Sequence, residues 1–165
     1  MDLVEALALL PAGRREQIHL LIAGVPAAAE SQRRIEALGL HGQVHFAGLR
    51  ADVRPVVAAM DAGFVLSWGV ETISFACREM MAMGKPVLVS EYAGLPENID
   101  AGMDGWLVPA RDHRAMANRL NQLLDGSEAL PSMGTAARAH AERDFGIERF
   151  VSRTEAAYTA VLARR

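Results

Sequence analysis

Ala62-Gly63-Phe64-Val65-Leu66-Ser67, then residues 74–83 (Ser-Phe-Ala-Cys-Arg-Glu-Met-Met-Ala-Met), then Gly84-Lys85-Pro86-Val87-Leu88-Val89-Ser90 form the stretch that decides the fold. The two short apolar runs read as strands buried on both faces. The segment between them reads as a helix that Gly84 ends. Strand, helix and strand joined by short turns make a right-handed crossover unit with parallel strands.

The same alternation continues on both sides. Upstream, residues 2–10 predict an amphipathic helix stopped by Pro11 and Gly13. Ile18-His19-Leu20-Leu21-Ile22-Ala23 predicts a strand ending at Gly24, and residues 27–38 a helix with Gly39 beyond it. Gln43-Val44-His45-Phe46 predicts another strand, closed by Ala47-Gly48. A short helix follows over residues 52–60, with Asp52 at its start and Pro55 in its first turn. Downstream come a brief strand at Trp106-Leu107-Val108 and helices over 114–124, 128–143 and 147–164. The expected class is α/β: a Rossmann-like parallel sheet with helices on both faces and a helical C-terminal extension.

Composition agrees with that class and removes others. The 165 residues are 51% hydrophobic and 22% charged, enough to bury a core. A net charge of -3 and 5% aromatic residues offer neither a basic footprint nor a stacking platform, which argues against nucleic acid. Cys77 is the one cysteine, so no internal disulfide framework or cysteine-rich zinc site is available. No apolar run approaches the roughly 20 residues a membrane span needs. The opening helix carries acids where a signal sequence would carry a basic region. The expected location is the cytoplasm, with membrane association left open for a full-length protein.

The chemistry-bearing segment is Ser67-Trp68-Gly69-Val70-Glu71-Thr72-Ile73-Ser74-Phe75-Ala76-Cys77-Arg78-Glu79. It lies at the carboxyl end of a parallel strand and the amino end of the next helix, the edge where open α/β sheets bind ligands. The N–H groups of Ser74, Phe75 and Ala76 are unpaired at a helix start and, with the helix dipole, favour a diphosphate. Thr72 or Ser74 can cap that turn. Glu71 and Glu79 flank it with seven residues between them, within about 12 Å along a helix axis. Carboxylates accept strong hydrogen bonds from hydroxyl pairs, so Glu79 suits a ribose diol and Glu71 the hydroxyls of a sugar. Spacing alone is weak, since an exposed helical glutamate is ordinarily only solvated.

Residues 71–79 resemble the E-x7-E motif of the retaining GT-B glycosyltransferases. Met80-Met81-Ala82-Met83-Gly84-Lys85-Pro86-Val87 resembles that family's E-A-M-A-x-G-x-P-V run. Glu91-Tyr92-Ala93-Gly94-Leu95-Pro96-Glu97 resembles its G-G-x-P-E loop, and residues 104–112 its N-G-x-L-V-x-P-x-D segment. Leu21-Ile22-Ala23-Gly24 and Val44-His45-Phe46-Ala47-Gly48 match its strands ending in G and F-x-G.

The resemblance implies that residues 1–165 are a C-terminal donor-binding domain and that Glu79 holds the ribose. Glu71 would face the transferred sugar as the catalytic residue. The backbone of Ser74, Phe75 and Ala76 would approach the diphosphate, while Phe46 to Leu49, with Gly48, border the base. Transfer retains anomeric configuration, the leaving phosphate helping to take the acceptor proton, so neither metal nor cofactor is required beyond the nucleotide-diphosphate sugar itself. The histidines at 19, 41, 45, 113 and 140 are scattered and read as structural or surface groups.

The chain departs from the family pattern in two respects. Ile73 and Ser74 stand where the family has phenylalanine and glycine. A central first strand, followed by an arginine and a lysine that clamp the diphosphate, belongs before the helix matched by Leu3 to Leu10 and does not occur in the sequence. Either the neighbouring strands close up, or a second chain supplies a strand, or Met1 is a boundary within a longer protein. The N-terminal domain that would supply the acceptor site is likewise outside the sequence, so this chain alone is expected to be inactive.

Other features read blandly. Met80, Met81 and Met83 pack a core helix, Cys77 is buried and inert, and Lys85 carries no chemistry. Phe150, Val151, Tyr158, Val161 and Leu162 form an apolar stripe that suits self-association or packing onto the parent domain. The rival reading is a non-catalytic α/β interaction module, or one subunit of a split enzyme. A phosphate-accepting receiver domain lacks the required acidic pair.

Overall fold

The computed structural model describes residues 1–163. Its elements run α1 (Asp2–Ala8), α2 (Ala12–Arg15), β1 (Leu20–Ala23), α3 (Ala29–Ala37), β2 (Val44–Gly48), α4 (Arg54–Ala58), β3 (Gly63–Val65) and α5 (Phe75–Ala82). Then follow β4 (Val87–Ser90), a 3-10 turn (Leu95–Asn98), β5 (Gly105–Val108), α6 (His113–Asp125), a second 3-10 turn (Ser127–Ala129), α7 (Leu130–Phe145) and α8 (Ile147–Leu162). The predicted end of the last helix at Arg164 lies outside the described residues.

Every strand pairing is parallel, as the crossovers require. β3, β4 and β5 form one sheet in that order, with Phe64 opposite Leu88 and Leu88 opposite Trp106. β1 and β2 form a second sheet, with Ile22 opposite Phe46. Among the described residues no ladder joins β1 to β3. The neighbouring strands have therefore not closed up, and a seam lies where the sequence analysis expects a central strand.

One core nonetheless runs beneath both sheets. Leu3, Val4, Ala6 and Leu7 of α1 pack in a single cluster with Leu20 and Val44 on one side of the seam and Leu88, Trp106 and Val108 on the other. Met116, Ala117 and Leu120 of α6 close that layer. Alternation along β4 sends Val87 and Val89 to the opposite face, where they meet Cys77 and Met81 of α5, Ala137 and Ala141 of α7, and Val57 of α4. β4 is buried on both faces, as its uninterrupted apolar run implies. Close approach sets the α5–α7 packing. A Cβ on Gly134 would meet the carbonyl of Gly84, so only glycine lets the two helices come this near.

Several boundaries move for identifiable reasons. Pro11 does not merely stop α1; it opens α2, its carbonyl accepting from Arg14 and Arg15 N–H, so the chain reaches β1 two residues later than predicted. α4 starts at Arg54 because Asp52 instead takes the Arg54 N–H and its guanidinium. That pairing lowers the Asp52 carboxyl to about 2. Lys85 does not serve its own helix. Its ammonium donates to Ala58 and Met60 carbonyls at the end of α4, at 3.2 and 2.5 Å. A cation there complements that helix's negative end.

Cys77 is fully buried, and desolvation pushes its thiol up to about 12. It should therefore resist a thiol-disulfide reagent at pH 8 in the folded protein and react at once when the chain is unfolded. Rapid labelling without denaturant would contradict this packing. At the other extreme, α8 has no buried residue, and Phe150, Tyr158 and Leu162 are each about two-thirds exposed.

Candidate functional site

The segment after β3 is held in place by three tethers from the segment after β4. Ser90 Oγ donates to the Ser67 carbonyl at 2.6 Å. Tyr92 OH donates to the Gly69 carbonyl. Gly94 lies against the Thr72 carbonyl so closely that a Cβ would collide with it. The contacts fall on Ser90, Tyr92 and Gly94 in one segment and on Ser67, Gly69 and Thr72 in the other, so the two carboxyl-edge loops run side by side.

This arrangement fixes Glu71 and the start of α5. Glu71 is half-buried, and Ser67 Oγ donates to its Oε2 at 3.0 Å. Ser74 has extended backbone and is the cap of α5; its Oγ accepts from Cys77 N–H at 3.2 Å. Thr72 does not share that role. With Ser74 Oγ spent on the third helical residue, the N–H groups of Ser74, Phe75 and Ala76 donate to no protein group among the described residues. They point out of a helix start as an anion site requires. Glu79 lies one turn further on, exposed, roughly opposite the Cys77 and Met81 face that packs into the core.

Phe46 and Gly48 end β2 in the other sheet. Phe46 is 42% exposed. Gly48 has φ 72°, a left-handed turn that favours glycine, and accepts from Gly24 N–H at 3.0 Å. Phe46 and Gly48 thus stand in the carboxyl half of β2 and Glu71 in the loop after β3, while Ser74, Phe75 and Ala76 open α5 and Glu79 lies in its second turn. The structure joins Glu71, Ser74, Phe75 and Ala76 in one turn and leaves Phe46 and Gly48 across the seam, without a hydrogen bond to that turn. Grooves of about 560 and 610 Å³ lie elsewhere, beside α8 and between α1 and α3.

Several supporting residues gave no signal in the sequence. Arg78, inside the nine-residue motif, donates to Asn98 Oδ1 at 2.9 Å and its guanidinium lies 4.1 Å from the Phe145 ring centre. Asn98, fully buried, donates to the Gly94 and Leu95 carbonyls and so braces the loop that presses on Thr72. Trp68 carries the Arg111 guanidinium 4.6 Å from its ring centre. Asp100, Asp104 and His140 are the one group of three possible metal ligands among the described residues, with ligand atoms within 4.8 Å. The Asp104 carboxylate is already taken by His140 Nδ1 at 2.5 Å and Asp100 N–H at 2.7 Å. That set braces α7 against the loop before β5.

Comparison with known proteins agrees with this architecture. The family described as "Glycosyl transferases group 1" matches residues 1–126. A solved structure of HepE from Anabaena in complex with UDP superimposes with a TM-score of 0.85 at 25% identity, covering 96% of this chain and 44% of that one. The N-acetyl-alpha-D-glucosaminyl L-malate synthase of Bacillus anthracis is 30% identical over 143 residues, 87% of this chain and 37% of the relative. The amylovoran biosynthesis glycosyltransferase AmsK of Erwinia amylovora is 41% identical over 76 residues, 46% and 19% of the respective chains. The chain thus spans less than half the length of each of these proteins. No helix among the described residues is long and apolar enough to cross a membrane. A family match over three-quarters of the chain, on a fold shared with a UDP-bound relative, places this protein in the group 1 glycosyl transferases, which have the GT-B fold.

Proposed function

We propose that the chain is the donor-binding half of a retaining glycosyltransferase that moves a sugar from a nucleotide-diphosphate sugar to a glycan or lipid-linked acceptor. One observation carries the reading: three unpaired N–H groups open α5 between two accessible carboxylates, on the edge of a fold whose UDP-bound relative is so similar. In this reading the N–H groups of Ser74, Phe75 and Ala76 take the diphosphate. Glu79 holds the ribose diol, Glu71 faces the sugar, and Phe46 and Gly48 border the base. Ser67 orients the Glu71 carboxylate by its hydrogen bond. Charge stabilisation comes from backbone dipoles, so the reaction needs no metal and no resident cofactor. The acceptor site belongs to an N-terminal domain, and without it this chain binds donor but does not transfer sugar. Names of relatives such as the amylovoran enzyme favour a surface polysaccharide as product, made in the cytoplasm.

Replacing Glu79 with glutamine should weaken nucleotide binding about tenfold, the worth of a charge-assisted hydrogen bond, and leave thermal stability unchanged. Isothermal calorimetry against UDP, GDP and ADP reads this directly. Equal affinity in the variant would remove Glu79 from the site.

The exposed apolar face of α8 favours the companion reading, in which a separate polypeptide or a second copy of the chain covers it. Sedimentation of the isolated chain separates self-association from a monomer awaiting its partner domain.

A further inference from the structure

Arg111 has φ 62°, in the left-handed region where glycine is free of strain and arginine is not. Its neighbours fix that conformation. The Pro109 carbonyl, two residues before it, accepts from Asp112 N–H at 3.2 Å, and Asp112 caps the 13-residue α6 by accepting from Ala115 N–H at 2.9 Å. The backbone there would be satisfied by glycine, so what the arginine contributes is its side chain. That side chain crosses from the loop after β5 to the loop after β3 and lies on the Trp68 ring. Stacking uses the flat face of a guanidinium and leaves its in-plane donors free. Among the described residues Arg111 makes no ion pair or hydrogen bond, and the adjacent Asp112 carboxylate is occupied as a cap. Trp68 is 53% exposed and sits between Ser67 and Glu71, two residues joined by a hydrogen bond.

We propose that Arg111, carried on Trp68, is an oxyanion-binding residue of the donor site. This rests on the donor-binding reading above and adds to it a cation that no motif marks. Two sources could supply the oxyanion: the diphosphate, which leaves with added charge when the sugar departs, or a carboxylate on the sugar itself. Arginine suits either, since its planar fork takes two oxygens at once.

Tryptophan fluorescence tests the assignment. Trp68 is exposed and Trp106 is buried, so ligand-induced change reports on Trp68 while Trp106 emission, with circular dichroism, reports that the fold is intact. Wild type and the Arg111→Gln and Arg111→Lys variants are titrated with UDP, GDP and ADP, their nucleosides, UDP-glucose and UDP-glucuronate. A loss of about tenfold or more for the diphosphates in Arg111→Gln, with nucleoside binding unmoved and Arg111→Lys intermediate, supports the diphosphate as source. A loss confined to UDP-glucuronate supports the sugar carboxylate. Unchanged affinity for every ligand overturns the role of Arg111 while leaving donor binding standing. Failure of wild type to bind any nucleotide overturns both.

Discussion

Replacing His140 with alanine should cost the fold about 3–5 kcal/mol, the typical penalty for breaking a buried pair by removing one partner. The Asp104 side chain is 2% exposed and His140 10%. Their 2.5 Å hydrogen bond ties α7 to the loop that feeds β5, across 36 residues of sequence. Without the imidazole, the Asp104 carboxylate keeps only the Asp100 N–H as a donor. Water must then enter to supply the missing donor. Phe145, whose ring lies beneath the Arg78 guanidinium, loses the ring it packs against as well. Urea unfolding of His140→Ala, beside a double variant that also carries Asp104→Asn, measures the effect. The double variant should recover part of the loss, because an amide is cheaper to bury than an uncompensated charge. A loss below about 1 kcal/mol, or no recovery, would show that the pair is not the brace described.

The second large effect falls on a residue with no side chain. Gly94→Ala places a methyl group against the Thr72 carbonyl, a backbone atom that cannot rotate aside. Overpacking of this kind typically costs about 1–3 kcal/mol. The cheaper escape is for the 67–74 segment to move, since it is exposed at Gly69, Val70, Thr72 and Ile73. Movement would carry Glu71 off Ser67 and turn the free N–H groups of α5 away from their common focus. Nucleotide affinity should fall further than in Glu79→Gln, while unfolding stays cooperative with only a modest shift. A variant that binds nucleotide like wild type would mean that the turn tolerates displacement, and the donor site would have to lie elsewhere on the edge.

These two positions also mark where the sequence stops being readable. Strands β3 and β4 were legible because no polar residue interrupts either run, although only β4 is buried on both faces and Phe64 and Val65 of β3 are half-buried. The start of α5 was legible because Ser74 has a local task within three residues. The order of the sequence blocks gave the family, and with it the edge on which the site lies. Pairings decided only by tertiary approach were hidden: Ser90 with Ser67, Asn98 with Arg78, Asp104 with His140. Each joins residues 20 to 36 positions apart and belongs to no periodic pattern. Gly94 was visible as part of a loop motif, but not the carbonyl it presses on. The turn at α2 was hidden because a proline after a helix serves equally to stop one helix and to begin another.

The seam between β1 and β3 changes the order in which the molecule comes apart. In an unbroken sheet of this kind the middle is the last region to give up its amide protons, and the edges fray first. Here the middle is itself two edges, tied across by α1 with the shared core beneath it and by the Arg14–Asp125 ion pair. Loosening of that one seven-residue helix in this chain should let the β1–β2 pair exchange its amide protons before β3, β4, β5 and their helices do.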